Sequence, residues 1–165
     1  MNARLFASLT VLLLVVAPMS SADPVKEKSS ATRVAHMVVL ADDIKWIDGP
    51  AGLPKGAKIA VLDGDPSKSG GLFTMRAKLP DGYIVPPHWH ATDEVITVIE
   101  GTLGIGVGAK LDKSKIRYMP AGTFMRMPKG EKHYASVKGE TIIQVTGAGP
   151  FDIEYVDPND DPRKK

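Results

Sequence analysis

Three of the four histidines, His88, His90 and His133, are of a type and spacing that could hold a metal ion. In His88-Trp89-His90 the imidazoles stand at i and i+2, which on a strand puts them on one face about 6–7 Å apart, within reach of a single ion. Pro86-Pro87 just ahead fixes an extended backbone and reduces the freedom that the ligand strand loses on folding. Glu94 adds a carboxylate, and His133 has to arrive from a neighbouring strand. Three neutral imidazoles and one carboxylate suit a divalent transition metal (Fe, Mn, Ni, Cu, Co or Zn), whereas Mg and Ca prefer all-oxygen shells. Around an octahedral ion, four protein ligands leave room for a substrate oxygen and for O₂ or water. A single carboxylate leaves the site positive overall, which favours an anionic ligand such as an enolate or carboxylate. When substrate displaces Glu94, it is the residue placed to transfer a proton, and so the candidate catalytic group.

The elements that must position these residues read as strands. Phe73, Met75, Ala77 and Leu79 alternate with Thr74, Arg76 and Lys78, the period of a half-buried strand. Further short apolar runs lie at 34–40, 58–62, 95–99, 102–107, 123–127, 133–137, 141–145 and 151–156. Asp81-Gly82, Glu100-Gly101 and Lys138-Gly139-Glu140 read as turns between them. Roughly ten short strands with frequent turn signals, and no convincing helix after residue 22, predict an all-β sandwich or barrel of the jelly-roll kind.

Two longer strings frame the histidines: Gly82-x5-His88-x-His90-x3-Glu94-x6-Gly101, and Gly122-x5-Pro128-x-Gly130-x2-His133. Together they resemble the two signature motifs of the cupin superfamily, small jelly-roll β-barrels. All five fixed positions of the first motif are present. In the second, Val137 stands where the family often has Asn, which is not a metal ligand. The resemblance implies that His88, His90, Glu94 and His133 bind an ion inside the barrel, and that Gly82, Gly101, Gly122, Pro128 and Gly130 form turns. Residues 44–79 are also similar to small exported cupins and to the cupin half of some zinc-binding anti-sigma factors.

Other residues draw plainer readings. Trp89 alternates with the ligands and should face away from the metal. Met125 and Met127 read as core filling, Asp93 as a solvated turn residue, and His36 as a packed or edge histidine. Phe73, Met75, Tyr134 and Gln144 are candidates for the pocket wall. Arg76 and Arg126 are surface arginines by default, with carboxylate binding as the alternative. The glycine-rich run at 101–108 has no helix after it, so it punctuates a hairpin and does not bind phosphate.

Composition bounds the rest. With 43% hydrophobic and 24% charged residues, the 165-residue chain has the makeup of one globular domain. A net charge of +2 is too close to neutral for a nucleic-acid binder working by phosphate neutralisation. The lack of cysteine excludes disulfides, thiolate metal sites and a Cys nucleophile. Residues 1–22 read as a secretory signal peptide: Arg4, a short apolar stretch, then Ser20-Ser21-Ala22 for cleavage. The mature chain is then exported, periplasmic or secreted, without a stable membrane anchor. Residues 23–33 read as a flexible lead-in, 34–156 as the barrel and 157–165 as a disordered charged tail. Open jelly-roll edges need cover, which predicts a homodimer. The leading functional reading is a metal-dependent, dioxygenase-like enzyme acting on a small dicarbonyl, enol or phenolic compound. The alternatives are a metal-dependent isomerase, lyase or decarboxylase in the same pocket, and a non-catalytic metal- or small-molecule-binding module of the cell envelope.

Overall fold

Long antiparallel pairing organises the chain in the computed structural model, which describes residues 36–165. The expected signal (1–22) and lead-in (23–33) lie outside the described residues. Among those described, nine strands follow in chain order: β1 (Ile47–Asp48), β2 (Lys58–Gly64), β3 (Leu72–Leu79), β4 (Ile84–Trp89), β5 (Glu94–Val107), β6 (Arg117–Pro120), β7 (Phe124–Met127), β8 (His133–Ala148) and β9 (Glu154–Tyr155). Among the described residues the only helical pieces are three-residue 3-10 turns.

Strands β5 and β8 run beside each other along most of their lengths. The first half of β5 pairs with the second half of β8, from Glu94↔Gly147 to Val98↔Ile143, and the halves exchange beyond the kink, from Thr102↔Lys138 to Val107↔His133. Two half-sheets share this pair. One runs β7-β5-β8-β3-β2-β1 and the other β6-β5-β8-β4-β9, so the whole sheet curls into the jelly-roll form expected from the sequence.

The kink explains the largest departure from the sequence reading. Glu100-Gly101 and Lys138-Gly139-Glu140 are not turns between separate strands; they are irregularities inside β5 and β8, where the register shifts. Gly101 has φ +76°, and a Cβ there would run into the Glu140 carbonyl, so the close approach of the two strands requires glycine. Thr141, fully buried, holds the bulge: its Oγ1 accepts from Thr102 N at 3.1 Å. The bulge also switches which parity faces inward. Glu94, Ile96 and Val98 are buried before it, Leu103 and Ile105 after it. Burying a Val98- or Leu103-sized side chain contributes about 1.5–3 kcal/mol, so the switch decides which side chains build the core.

Smaller corrections follow the same logic. Residues 36–40 are exposed and form no strand, because an apolar run becomes one only with a ladder partner, and here it has none among the described residues. Of 151–156 only Glu154–Tyr155 pairs, with β4, while Phe151 N donates to Pro66 O in a loop bond. Residues 157–165, expected to be a disordered tail, form two capped 3-10 turns, Pro158–Asp160 and Pro162–Lys164. Asp157 and Asp161 accept from the backbone two residues on, and Arg163 bonds back to the body of the protein, which supplies the contacts that composition alone did not reveal.

Candidate metal centre

Each of the three candidate ligand histidines reaches the interior from a different local device. Pro86-Pro87 lie within β4, where the register against β8 shifts between Val85 and His88. Val85 faces in on one side of that shift and His88 on the other, so the prolines help set the phase that aims the first histidine. His90 follows the end of β4, Glu94 opens β5, and His133 opens β8 directly opposite His88. All four side chains are buried.

The ligand nitrogens of His88, His90 and His133 lie within 4.8 Å of one another. Glu94 Oε2 stands 3.7 Å from His90 Nε2 and 3.5 Å from His133 Nε2. An ion about 2.1 Å from each ligand sets neighbouring ligand atoms about 3.0–3.4 Å apart, so the Glu94 contacts are already near the bound spacing and the histidines draw together to close around a metal. Every histidine uses Nδ1 on a backbone carbonyl: His88 on Pro86 O at 2.7 Å, His90 on Asp152 O at 2.6 Å, His133 on Glu131 O at 2.9 Å. A carbonyl can only accept, so Nδ1 carries the hydrogen, and in the neutral ring the Nε2 lone pair is left for the ion. The residues present therefore fit a divalent transition metal.

Electrostatics support the same assignment. Burial, followed by repulsion from His133, drives His88 down to about 3, which keeps it a neutral ligand. Burial pushes Glu94 up, but the hydrogen bond from His133 and the neighbouring imidazoles outweigh it and leave the carboxyl below its ordinary value. Burial pulls His133 down, yet Glu94 outweighs it and leaves that imidazole above its ordinary value. The two shifts are reciprocal: each group favours the charged form of the other.

The centre opens onto a cavity of about 270 Å³ whose other walls are largely apolar, among them Met75, Leu79, Ile96, Leu103, Ile143 and Val145. Of the four wall candidates from sequence, Met75 lines it. Phe73 is buried but packs against Phe151, with ring centroids 5.0 Å apart. Tyr134 points elsewhere and donates to Asp112 O at 3.0 Å, and Gln144 accepts from Arg76 Nε at 3.3 Å on the opposite face of the sheet. Arg126 pairs with Asp93 at 3.0 Å, so neither arginine lines the cavity. Trp89, Met125 and Met127 also lie outside its wall, and His36 is exposed. The sequence reading missed Phe151, stacked on the His90 ring at 4.4 Å and 12°, and the Asp152 carbonyl. A carbonyl has no residue-type signature, so no sequence signal marked it.

The sequence pattern of the ChrR Cupin-like domain matches residues 34–152, most of the chain and all four site residues. The protein belongs to this cupin family. No curated protein matches it. Among solved structures, this cupin is similar to the polyketide cyclase RemF from Streptomyces resistomycificus, at 20% identity and a TM-score of 0.61, covering 79% of this chain and 92% of that one. It is also similar to an RmlC-like cupin from Shewanella frigidimarina, at 18% identity and TM-score 0.53 over 69% and 91% of the two chains. KdgF from a Halomonas species matches at 16% identity and TM-score 0.52, over 69% and 94%. At these identities the likeness establishes the shared jelly-roll fold.

Proposed function

We propose that this cupin is a metal-dependent enzyme, most simply an oxygenase, acting on a small dicarbonyl, enol or phenolic compound bound as its anion. The observation that carries this reading is the grouping of three histidines and a buried Glu94 in the wall of an otherwise apolar cavity. A divalent transition ion held by His88, His90, Glu94 and His133 supplies Lewis acidity and, where redox-active, electrons for O₂ chemistry. The protein does the rest. The apolar walls orient the body of the substrate and exclude water, and Glu94 accepts the proton that converts an enol or phenol to its anion. At about 270 Å³ the cavity is just below the roughly 300–1,000 Å³ of drug-sized pockets, which restricts the substrate to a compact molecule.

A redox-neutral reaction in the same pocket is the second reading: ring closure, isomerisation or C–C cleavage with Glu94 as proton carrier. A polyketide cyclase that shares this fold gives it a precedent. We further take residues 1–22 as an export signal and the mature protein as a periplasmic or secreted homodimer. N-terminal sequencing should then begin at Asp23, and light scattering should give twice the chain mass.

The deciding test is elemental analysis of exported protein purified without added metal or chelator, beside a His88→Ala/His90→Ala variant. One transition-metal ion per chain, lost in the variant, is the expected result. Loaded protein is then screened with enols and phenols for O₂ consumption and, separately, for anaerobic turnover. Uptake of O₂ assigns the oxygenase, and anaerobic product assigns the redox-neutral enzyme. Tight metal binding with neither leaves a binding module. Failure to load any ion at neutral pH overturns the metal reading.

A further inference from the structure

His90 differs from the other two ligand histidines in how its ring is held. His88 and His133 donate to carbonyls two residues back in their own chain segments, Pro86 and Glu131. His90 instead donates to Asp152 O, far away in sequence, on a loop with no strand hydrogen bonds of its own. Phe151 from the same loop stacks flat on the imidazole. The orientation of this ligand therefore depends on what fixes 151–153.

Phe151 N donates to Pro66 O at 2.8 Å at the start of this segment, and Arg163 holds the two residues that follow. Its Nη1 donates to both oxygens of the Asp152 carboxylate, at 3.3 and 3.0 Å, and its Nη2 donates to Ile153 O at 2.9 Å. The guanidinium is itself clamped from the other side by Asp161, which accepts Nε at 2.9 Å and Nη2 at 3.0 Å. Asp161 also accepts the Arg163 backbone N–H at 3.0 Å, so the turn presents a preformed fork. The packing is close: a Cβ at Gly52 would meet Ile153 Cγ2 at 2.9 Å and Arg163 Nη1 at 3.7 Å. A planar fork with donors on two edges can bridge Asp161 to the 152–153 backbone, whereas a lysine ammonium cannot reproduce both sets of bonds.

We propose that Arg163 is a positioning residue for the metal centre: through Asp152 and Ile153 it sets the carbonyl that fixes the tautomer and direction of His90. This rests on the reading of the histidine cluster as a metal site, and one of its two tests does not need the metal. In metal-free protein, long-range ¹H–¹⁵N spectra of the imidazoles should show His90 as a single Nδ1–H tautomer. In Arg163→Ala, His90 should average between tautomers while His88 and His133 keep their wild-type nitrogen shifts. In titrations with Co²⁺, the variant should bind about tenfold more weakly, with a changed visible spectrum. Arg163→Lys should fall on the same side as alanine in both readouts, and it carries the comparison if the alanine variant does not fold. A His90 signal and Co²⁺ affinity unchanged in both variants would overturn the proposal. If wild-type protein binds no Co²⁺, the metal reading fails, while the tautomer spectra still decide whether Arg163 orients His90.

Discussion

Glu94 and His133 face each other at 3.5 Å inside an apolar wall, and this contact dictates how the metal-free protein responds to pH. His133 is held above its ordinary value of 6.5, so its contribution to stability is complete below that value and lost as pH rises through the raised one. Glu94 is held below its ordinary 4.5, so its contribution is present above that value and lost as pH falls through the depressed one. His88, held at about 3 in the folded protein but near 6.5 when unfolded, makes stability fall as pH drops below 6.5. The melting temperature of metal-free protein should therefore peak close to pH 6.5, as scanning calorimetry would show. In Glu94→Gln the alkaline flank should flatten, while His88 maintains the acid one. Metal must also expel the His133 proton, whereas His88, at about 3, has none to lose. Apparent affinity should rise with pH up to the His133 value, with proton release measurable by calorimetry in buffers of different ionisation enthalpy. Glu94→Gln should weaken metal binding at least about tenfold. The i, i+2 histidines were legible in sequence because strand geometry makes that spacing a shared face. Their anchoring was not, because Pro86, Glu131 and Asp152 act through backbone carbonyls that every residue type possesses.

Strands β5 and β8 show why the sheet was only partly legible. Left-handed glycines after short alternating runs mark hairpins and bulges equally well, and Gly101 and Gly139 here serve bulges within long strands. What separates the cases is the neighbouring strand, which a single sequence does not display. The two glycines should respond differently to substitution. Gly139→Ala meets no atom within 4 Å and bears only the strain of φ +73°, a cost of about 1–2 kcal/mol. Gly101→Ala adds a collision with the Glu140 carbonyl, so it should be clearly the more destabilising in chemical denaturation, by more than about 1 kcal/mol beyond Gly139→Ala. Equal losses would mean that the close crossing of the two strands is relaxed in solution. The 3-10 turn around Arg163 was equally hidden, since Asp-Pro-Arg-Lys-Lys has the composition of a solvated end and its partners are remote in sequence.

At the scale of the whole molecule, the cavity and the metal centre are separable parts of one core. Ala77 lies in the cavity wall on β3, paired with Ile143 of β8, at the other end of that strand from His133. Ala77→Phe should occupy the space meant for substrate, abolishing turnover and small-molecule binding while metal content stays within about twofold of wild type, because no ligand or anchoring carbonyl is touched. Loss of metal in that variant would show the cavity and the ligands to be mechanically linked. The donor set has one more consequence. Three imidazoles and one carboxylate suit every ion from manganese to zinc, so the donor atoms by themselves select weakly among ions of similar size. Occupancy then follows supply and the intrinsic ranking in which copper and zinc outcompete manganese and iron. The same polypeptide, filled in two compartments or two expression hosts, would emerge with different metals and therefore different chemistry, so the place of filling becomes part of what determines the reaction.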